Sequence, residues 1–149
     1  MTSPTDMLAV ALFAEILAVE QLARQEVAKV LPKGMELSHF AVLNHLANPG
    51  VERTPAQLAR TFHLTRGAMT NTLGKLEWSG WIHIRPDWED ARRKLVTISP
   101  AGLSARDDAL SRITPLISGL VEDVGADKVR AAVPVLRELR RRLAPEDGA

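Results

Sequence analysis

The chain has 149 residues, 46% apolar and 25% charged, an ordinary balance for a globular protein that buries a core and not one for a disordered chain. Its formal net charge of +1 is too small for a non-specific nucleic-acid coat, so any charge that serves nucleic acid has to be local. The absence of cysteine excludes a disulfide scaffold, thiol redox sensing, Cys-ligated zinc and a cysteine nucleophile.

Ser3-Pro4-Thr5-Asp6 offers an N-cap, a proline in the first helical position and an acid three residues past the cap, which predicts a long helix to about Val30. Met7 to Ala14 is apolar, but Asp6 stands where a signal peptide carries basic residues, and Glu15 and Glu20 interrupt the run. Neither a leader nor a membrane span is expected, and a cytoplasmic protein is. The first half of this helix is apolar on nearly every face, which fits a subunit interface or, alternatively, a central core helix. Pro32-Lys33-Gly34 breaks it. Ser38 then caps a short second helix carrying Phe40, Val42, Leu43 and Leu46, stopped by Asn48-Pro49-Gly50.

Thr54-Pro55-Ala56-Gln57 is a second cap-plus-proline start, with Gln57 placed to close a capping box. A short helix follows, His63-Leu64 makes a turn, and Thr65 caps a helix whose Met69, Leu73 and Leu76 share one face. Gly80 ends it. The period then becomes two: Ile82 and Ile84 alternate with His83 and Arg85, and after the turn-like Pro86 to Asp90 the run Lys94 to Ile98 reads as an antiparallel partner. Ser99-Pro100 opens a long helix to about Val124, Gly125 ends it, and Asp127 starts a last helix to about Leu143. Pro115 and Pro134 fall inside these two and predict bends. Leu110, Ile113, Leu116, Ile117, Leu120, Val124, Val133, Leu136, Leu139 and Leu143 form stripes that need a partner surface.

With Met69, Leu73 and Leu76 facing the core, Arg66, Thr70, Asn71, Gly74 and Lys75 face solvent. Asn suits adenine, Thr a base edge or thymine methyl, and Arg guanine or phosphate. Gly67 and Gly74 lack Cβ atoms, which would allow close approach of DNA. The hairpin tip carries Arg92, Arg93 and Lys94 after Asp87, Glu89 and Asp90, a basic loop suited to a minor groove, with Asp90 placed to brace Arg92. On its own, each element also reads as an ordinary solvated face. The order of the elements is what points to DNA.

The residues from Leu58-Ala59-Arg60 through Leu64-Thr65-Arg66, Thr70-Asn71, Lys75-Leu76-Glu77, Gly80-Trp81-Ile82 and Asp90-Ala91-Arg92 to Leu95-Val96-Thr97-Ile98-Ser99, with Gly102, resemble the MarR family of bacterial regulators. The resemblance implies a mainly α fold with a two-stranded antiparallel β-wing, a winged helix-turn-helix in a homodimer held by the N- and C-terminal helices. It implies a single domain over 1–149, with a DNA-binding lobe at 36–99 and dimerisation helices at 1–31 and 100–144. The function implied is sequence-specific binding of double-stranded DNA at an inverted repeat, as a repressor modulated by a small-molecule effector. By the resemblance Thr65, Arg66, Thr70 and Asn71 would address the major groove and Arg92 the minor groove, and the expected DNA-binding set is Thr65, Arg66, Gly67, Thr70, Asn71 and Lys75 with Arg85, Asp90, Arg92, Arg93 and Lys94 of the wing. An effector would sit near Phe13, His39 and Phe40, between the first, second and fifth helices. Ala91, Gly67, Gly74 and Trp81 depart from the family pattern, so target sequence does not carry over. The other open reading is a winged-helix module that binds protein.

Arg137, Arg140, Arg141 and Arg142 sit near a helix C-terminus, where the dipole favours them, with a phosphate contact as the minority reading. His39, His45, His63 and His83 lack metal-ligand spacing, and no phosphate loop, nucleophile elbow or zinc motif occurs. No enzyme activity, cofactor or metal is expected.

Overall fold

A computed structural model describes residues 1–48 and 50–144, so the proline of the Asn48-Pro49-Gly50 stop lies outside the described residues. The elements in order are α1 (Pro4–Val30), α2 (Leu37–Leu46), α3 (Pro55–Thr61), α4 (Arg66–Trp78), β1 (Ile82–Pro86), β2 (Lys94–Ile98), α5 (Pro100–Val124) and α6 (Ala126–Leu143). The chain divides into two compact units, Met1–Ile113 and Thr114–Ala149.

In the first unit, Leu43 and Leu46 of α2, Leu58 of α3, Met69 and Leu76 of α4, Ile82 of β1 and Val96 of β2 are fully buried in one cluster. Each such side chain contributes about 1.5–3 kcal/mol by leaving water. Ala109 of α5 joins the same cluster. By contrast α1 buries only Val27 and leaves Met7, Leu8, Val10, Leu17, Val19 and Leu22 exposed. In the second unit, Ile117, Leu120 and Val124 of α5 and Val133, Leu136 and Leu143 of α6 are likewise exposed. Both helices continue through their prolines, Pro115 and Pro134.

Two caps match the sequence pattern bond for bond. Asp6 N–H donates to Ser3 Oγ (3.1 Å) while Ser3 N–H donates to Asp6 Oδ2 (2.8 Å), which holds the Asp6 carboxyl below its usual pKa. Gln57 N–H donates to Thr54 Oγ1 (3.1 Å) and Thr54 N–H to Gln57 Oε1 (2.9 Å). The α2 cap differs from the expected Ser38: it is Glu36, two residues earlier, whose N–H donates to Nδ1 of buried His39 (3.1 Å). Histidine is an unusual third-position partner, and nothing in the sequence pattern marks it.

β1 and β2 pair antiparallel from Ile82↔Ile98 to Pro86↔Lys94. On its other edge β2 makes one further bridge, with Arg53 N–H donating to the Val96 carbonyl (3.2 Å) and Val96 N–H to the Arg53 carbonyl (2.8 Å). Too short to show as alternation, this bridge docks the residue just before the α3 cap onto the sheet.

α4, β1 and α5 meet at one junction. Gly80, at φ +76°, closes α4 with bonds from its own N–H to the Glu77 carbonyl (2.9 Å) and from Trp81 N–H to the Leu76 carbonyl (3.0 Å). Ser99 then ties this turn to α5. Its N–H donates to the Trp81 carbonyl (3.0 Å), its hydroxyl donates to the Gly80 carbonyl (2.6 Å), and the same oxygen accepts from Gly102 N–H (3.0 Å). A Cβ on Gly102 would lie 1.9 Å from the Trp81 carbonyl oxygen, inside any tolerable contact. Gly102→Ala is therefore expected to lower stability by about 3 kcal/mol or more, because backbone has to move. The denaturant midpoint measures it, and an unchanged midpoint would contradict this packing.

Candidate nucleic-acid interface

The turn between α3 and α4 depends on one left-handed residue. His63 has φ 53°, with its N–H on the Arg60 carbonyl (3.2 Å) and Leu64 N–H on the Ala59 carbonyl (2.9 Å), a helix stop of the kind glycine usually makes. Thr65 follows immediately and caps α4 by accepting from Ala68 N–H (3.1 Å). Its side-chain oxygen is thus already used in positioning the helix. Met69, Leu73 and Leu76 anchor α4 in the core, leaving Arg66, Gly67, Thr70, Asn71, Gly74 and Lys75 exposed.

The wing is tightened from within. Asp87 N–H donates to the Arg93 carbonyl (3.0 Å) and Arg93 N–H to the Asp90 carbonyl (3.0 Å). Asp90 Oδ1 accepts from both the backbone N–H and Nε of Arg92 (3.1 Å each), which depresses the Asp90 pKa and keeps it ionised. The brace expected between Asp90 and Arg92 is therefore present, and it leaves the Arg92 side chain 91% exposed.

These parts converge. Arg66 and Thr70 of α4, Pro55 and Ala56 of α3, and Arg92 and Lys94 of the wing line one cleft of about 260 Å³. Among the described residues neither Arg66 nor Lys94 makes an ion pair, so their charge is free for an anion. Along the other flank of α4 a wider groove of about 550 Å³ runs past Thr70, Asn71 and Lys75 to Glu36, His39 and Trp78. Lys75 lies 4.0 Å from Glu36 there. Two wing residues stay outside the cleft: Arg93 Nε is 3.8 Å from Asp87, and Arg85 bonds to Glu52 (2.7 Å). The three residues expected around an effector are dispersed in role. His39 belongs to the α2 cap, Phe40 packs on the core, and Phe13 is half exposed on α1. Pro55, Ala56 and Glu52 were not foreseen as part of this face, since only the fold brings them to the wing.

Residues 33–93 match a family model described as MarR family. Over this segment, which runs from just before α2 into the wing, the chain is similar to MarR-family regulators. The transcriptional activatory protein BadR of Rhodopseudomonas palustris is 32% identical over 72 residues, covering 47% of this chain. That match spans 41% of BadR, less than half of its length. The fold resembles that of the transcriptional regulator BldR from Sulfolobus solfataricus (TM-score 0.84, 22% identity, 95% of this chain and 99% of that one). It also resembles an E. coli MarR mutant complexed with operator DNA (TM-score 0.79, 23% identity, 92% and 99%). These likenesses establish the winged helix-turn-helix architecture of the chain.

Two outcomes follow from this geometry. A Cβ at Gly74 would meet nothing within 4 Å, so Gly74→Ala should raise stability by up to about 1 kcal/mol, read as a higher melting temperature. Burial pushes the His39 pKa below its ordinary 6.5, with Lys75 acting in the same direction and Glu36 opposing. The unfolded chain therefore takes up this proton first, and stability falls as pH drops through about 6.5. His39→Gln, which keeps an acceptor, should flatten that part of a pH–stability profile; an unaltered profile would refute the assignment.

Proposed function

We propose that this protein is a homodimeric, sequence-specific DNA-binding transcriptional regulator. The observation that carries this reading is the single cleft in which the exposed head of α4 and the wing present Arg66, Thr70, Arg92 and Lys94 together. Helix residues Thr70 and Asn71 would read base edges in a major groove while Arg92, held extended by Asp90, enters the neighbouring minor groove. Arg66, Lys75 and Lys94 would serve phosphates. A protein-binding module has less need of unpaired cations beside a protruding polar helix.

The exposed apolar faces of α1 and of the second unit support the dimer, since surfaces of this kind in a water-soluble chain mark an interface. In that dimer two recognition helices about 34–36 Å apart, one DNA turn, would favour an inverted-repeat site. Repression is the expected outcome of such binding, although BadR is named an activator; where the site lies relative to a promoter sets the sign. A small molecule held where α2 packs on α1, near Phe13, His39 and Phe40, would act as effector only if it binds the DNA-competent and DNA-incompetent states unequally.

Selection of bound sequences from a random DNA pool by the full-length protein tests the central reading. An enriched inverted repeat is expected. Arg92→Ala and Asn71→Ala should each weaken binding to it by about tenfold, the scale of one good base or groove contact. Affinity should also fall log-linearly with salt. Unselective, salt-independent binding would favour the protein-module alternative.

A further inference from the structure

Glu52 lies in the loop between α2 and α3, 33 residues away from Arg85 at the end of β1, yet its Oε1 accepts from Arg85 Nη2 at 2.7 Å. The same guanidinium donates through Nη1 to the Pro86 carbonyl (3.0 Å) and lies 5.9 Å from the centre of the Trp88 ring. Arg85 is partly buried, Glu52 is exposed, and Trp88 is 81% exposed. The next residue, Arg53, forms the backbone bridge to Val96 of β2. Glu52 is thus tied to the inner edge of the sheet by its neighbour's backbone and to the loop end of β1 by its own carboxylate. Three residues further on, Pro55 begins α3 and lines the cleft with Arg92.

We infer that Glu52 is a positioning residue that sets the angle of the wing to the helix-turn-helix, and so the place where Arg92 meets DNA, through Arg85 and Trp88. Arg85 then has a structural task in the wing instead of the DNA contact expected for it. The reasoning is geometric. A hairpin whose loop runs from Asp87 to Arg93 is held by the ladder only along its length, and rotation about the sheet root is opposed by contacts beyond the two strands. The Glu52–Arg85 bond lies far from that root, one pair in from the loop at Arg85↔Leu95, where a brace has the most leverage, and Trp88 carries the constraint into the loop by its cation–π approach to the guanidinium. Arg92 receives no such support from α4, since its side-chain bonds go only to Asp90 within the same loop.

This inference rests on the DNA-binding reading, and its test separates the two. The probe is the DNA enriched from the random pool by the wild-type dimer. Glu52→Ala should weaken binding about fivefold, the ceiling for one partly exposed ion pair, and should remove the same outer footprint protections that Arg92→Ala removes. In an Arg92→Ala background the Glu52→Ala change should cost nothing further, because a positioning residue has no effect once its target is gone. Glu52→Gln, which still accepts from Arg85, should restore most of the loss. The Trp88 indole N–H resonance, assigned by Trp88→Phe, should shift in Glu52→Ala while that of Trp78, remote on α4, stays in place. An equal loss in both backgrounds, or no loss in either, would overturn the inference while leaving DNA binding intact. Failure of the wild type to enrich any DNA would remove the DNA-binding reading and the inference with it.

Discussion

The missing side chain of Gly102 lets α5 pass directly over the Trp81 carbonyl, and the geometry of the first unit follows from that close approach. Ser99 converts the approach into three hydrogen bonds, so the end of α4, the start of β1, the end of β2 and the first turn of α5 become one rigid knot. α4 and the wing both leave from this knot. Their relative direction is therefore settled by backbone contacts and does not rely on the charged residues at their tips.

Charge then acts on a frame already built. With a net charge of only +1, the protein concentrates usable cations by pairing others: Arg85 with Glu52, Arg93 with Asp87, and Arg112 with Asp108 on α5. Among the described residues Arg66 and Lys94 form no ion pair, and they line one cleft with the exposed Arg92. Local potential of this kind attracts a polyanion without making the whole surface adhesive. Asp90 fits the same logic. Its depressed pKa keeps it charged, and it restrains Arg92 at little cost in exposure.

Much of this architecture is legible in the sequence because it is written in local chemistry. Ser3-Pro4, Thr54-Pro55, Thr65 and Ser99-Pro100 each mark a helix start within a residue, and Gly80 and Gly125 mark stops by their need for positive φ. Alternation from Ile82 to Arg85 marks β1 because one face is buried and the other is not. What was hidden is non-local or chemically unusual. The Glu36–His39 cap replaces the expected Ser38 because a buried neutral imidazole can accept a hydrogen bond as an amide or carboxylate does. The Arg53–Val96 bridge is one residue long and leaves no period. Glu52 and Arg85 show no pattern at all, since only folding brings them within 2.7 Å. At the interface, the exposed residues of α4 were readable from helical spacing, whereas the grouping of Arg66, Thr70, Arg92 and Lys94 in one cleft, apart from Arg85 and Arg93, was not.

The single bridge at Arg53 also bears on how the protein avoids sticking to itself. It occupies the inner edge of β2, leaving the outer edge of β1 as the sheet's open side. An open strand edge invites another strand to add to it, in a second copy or in a misfolded chain. β1 is only five residues long, it ends in Pro86 with no N–H to offer, and it carries the exposed, polar His83. The exposed ribbon of backbone along β1 is thereby kept unattractive to other strands. Under the proposed dimer, self-association falls to the apolar helix faces, and the wing remains a solitary projection.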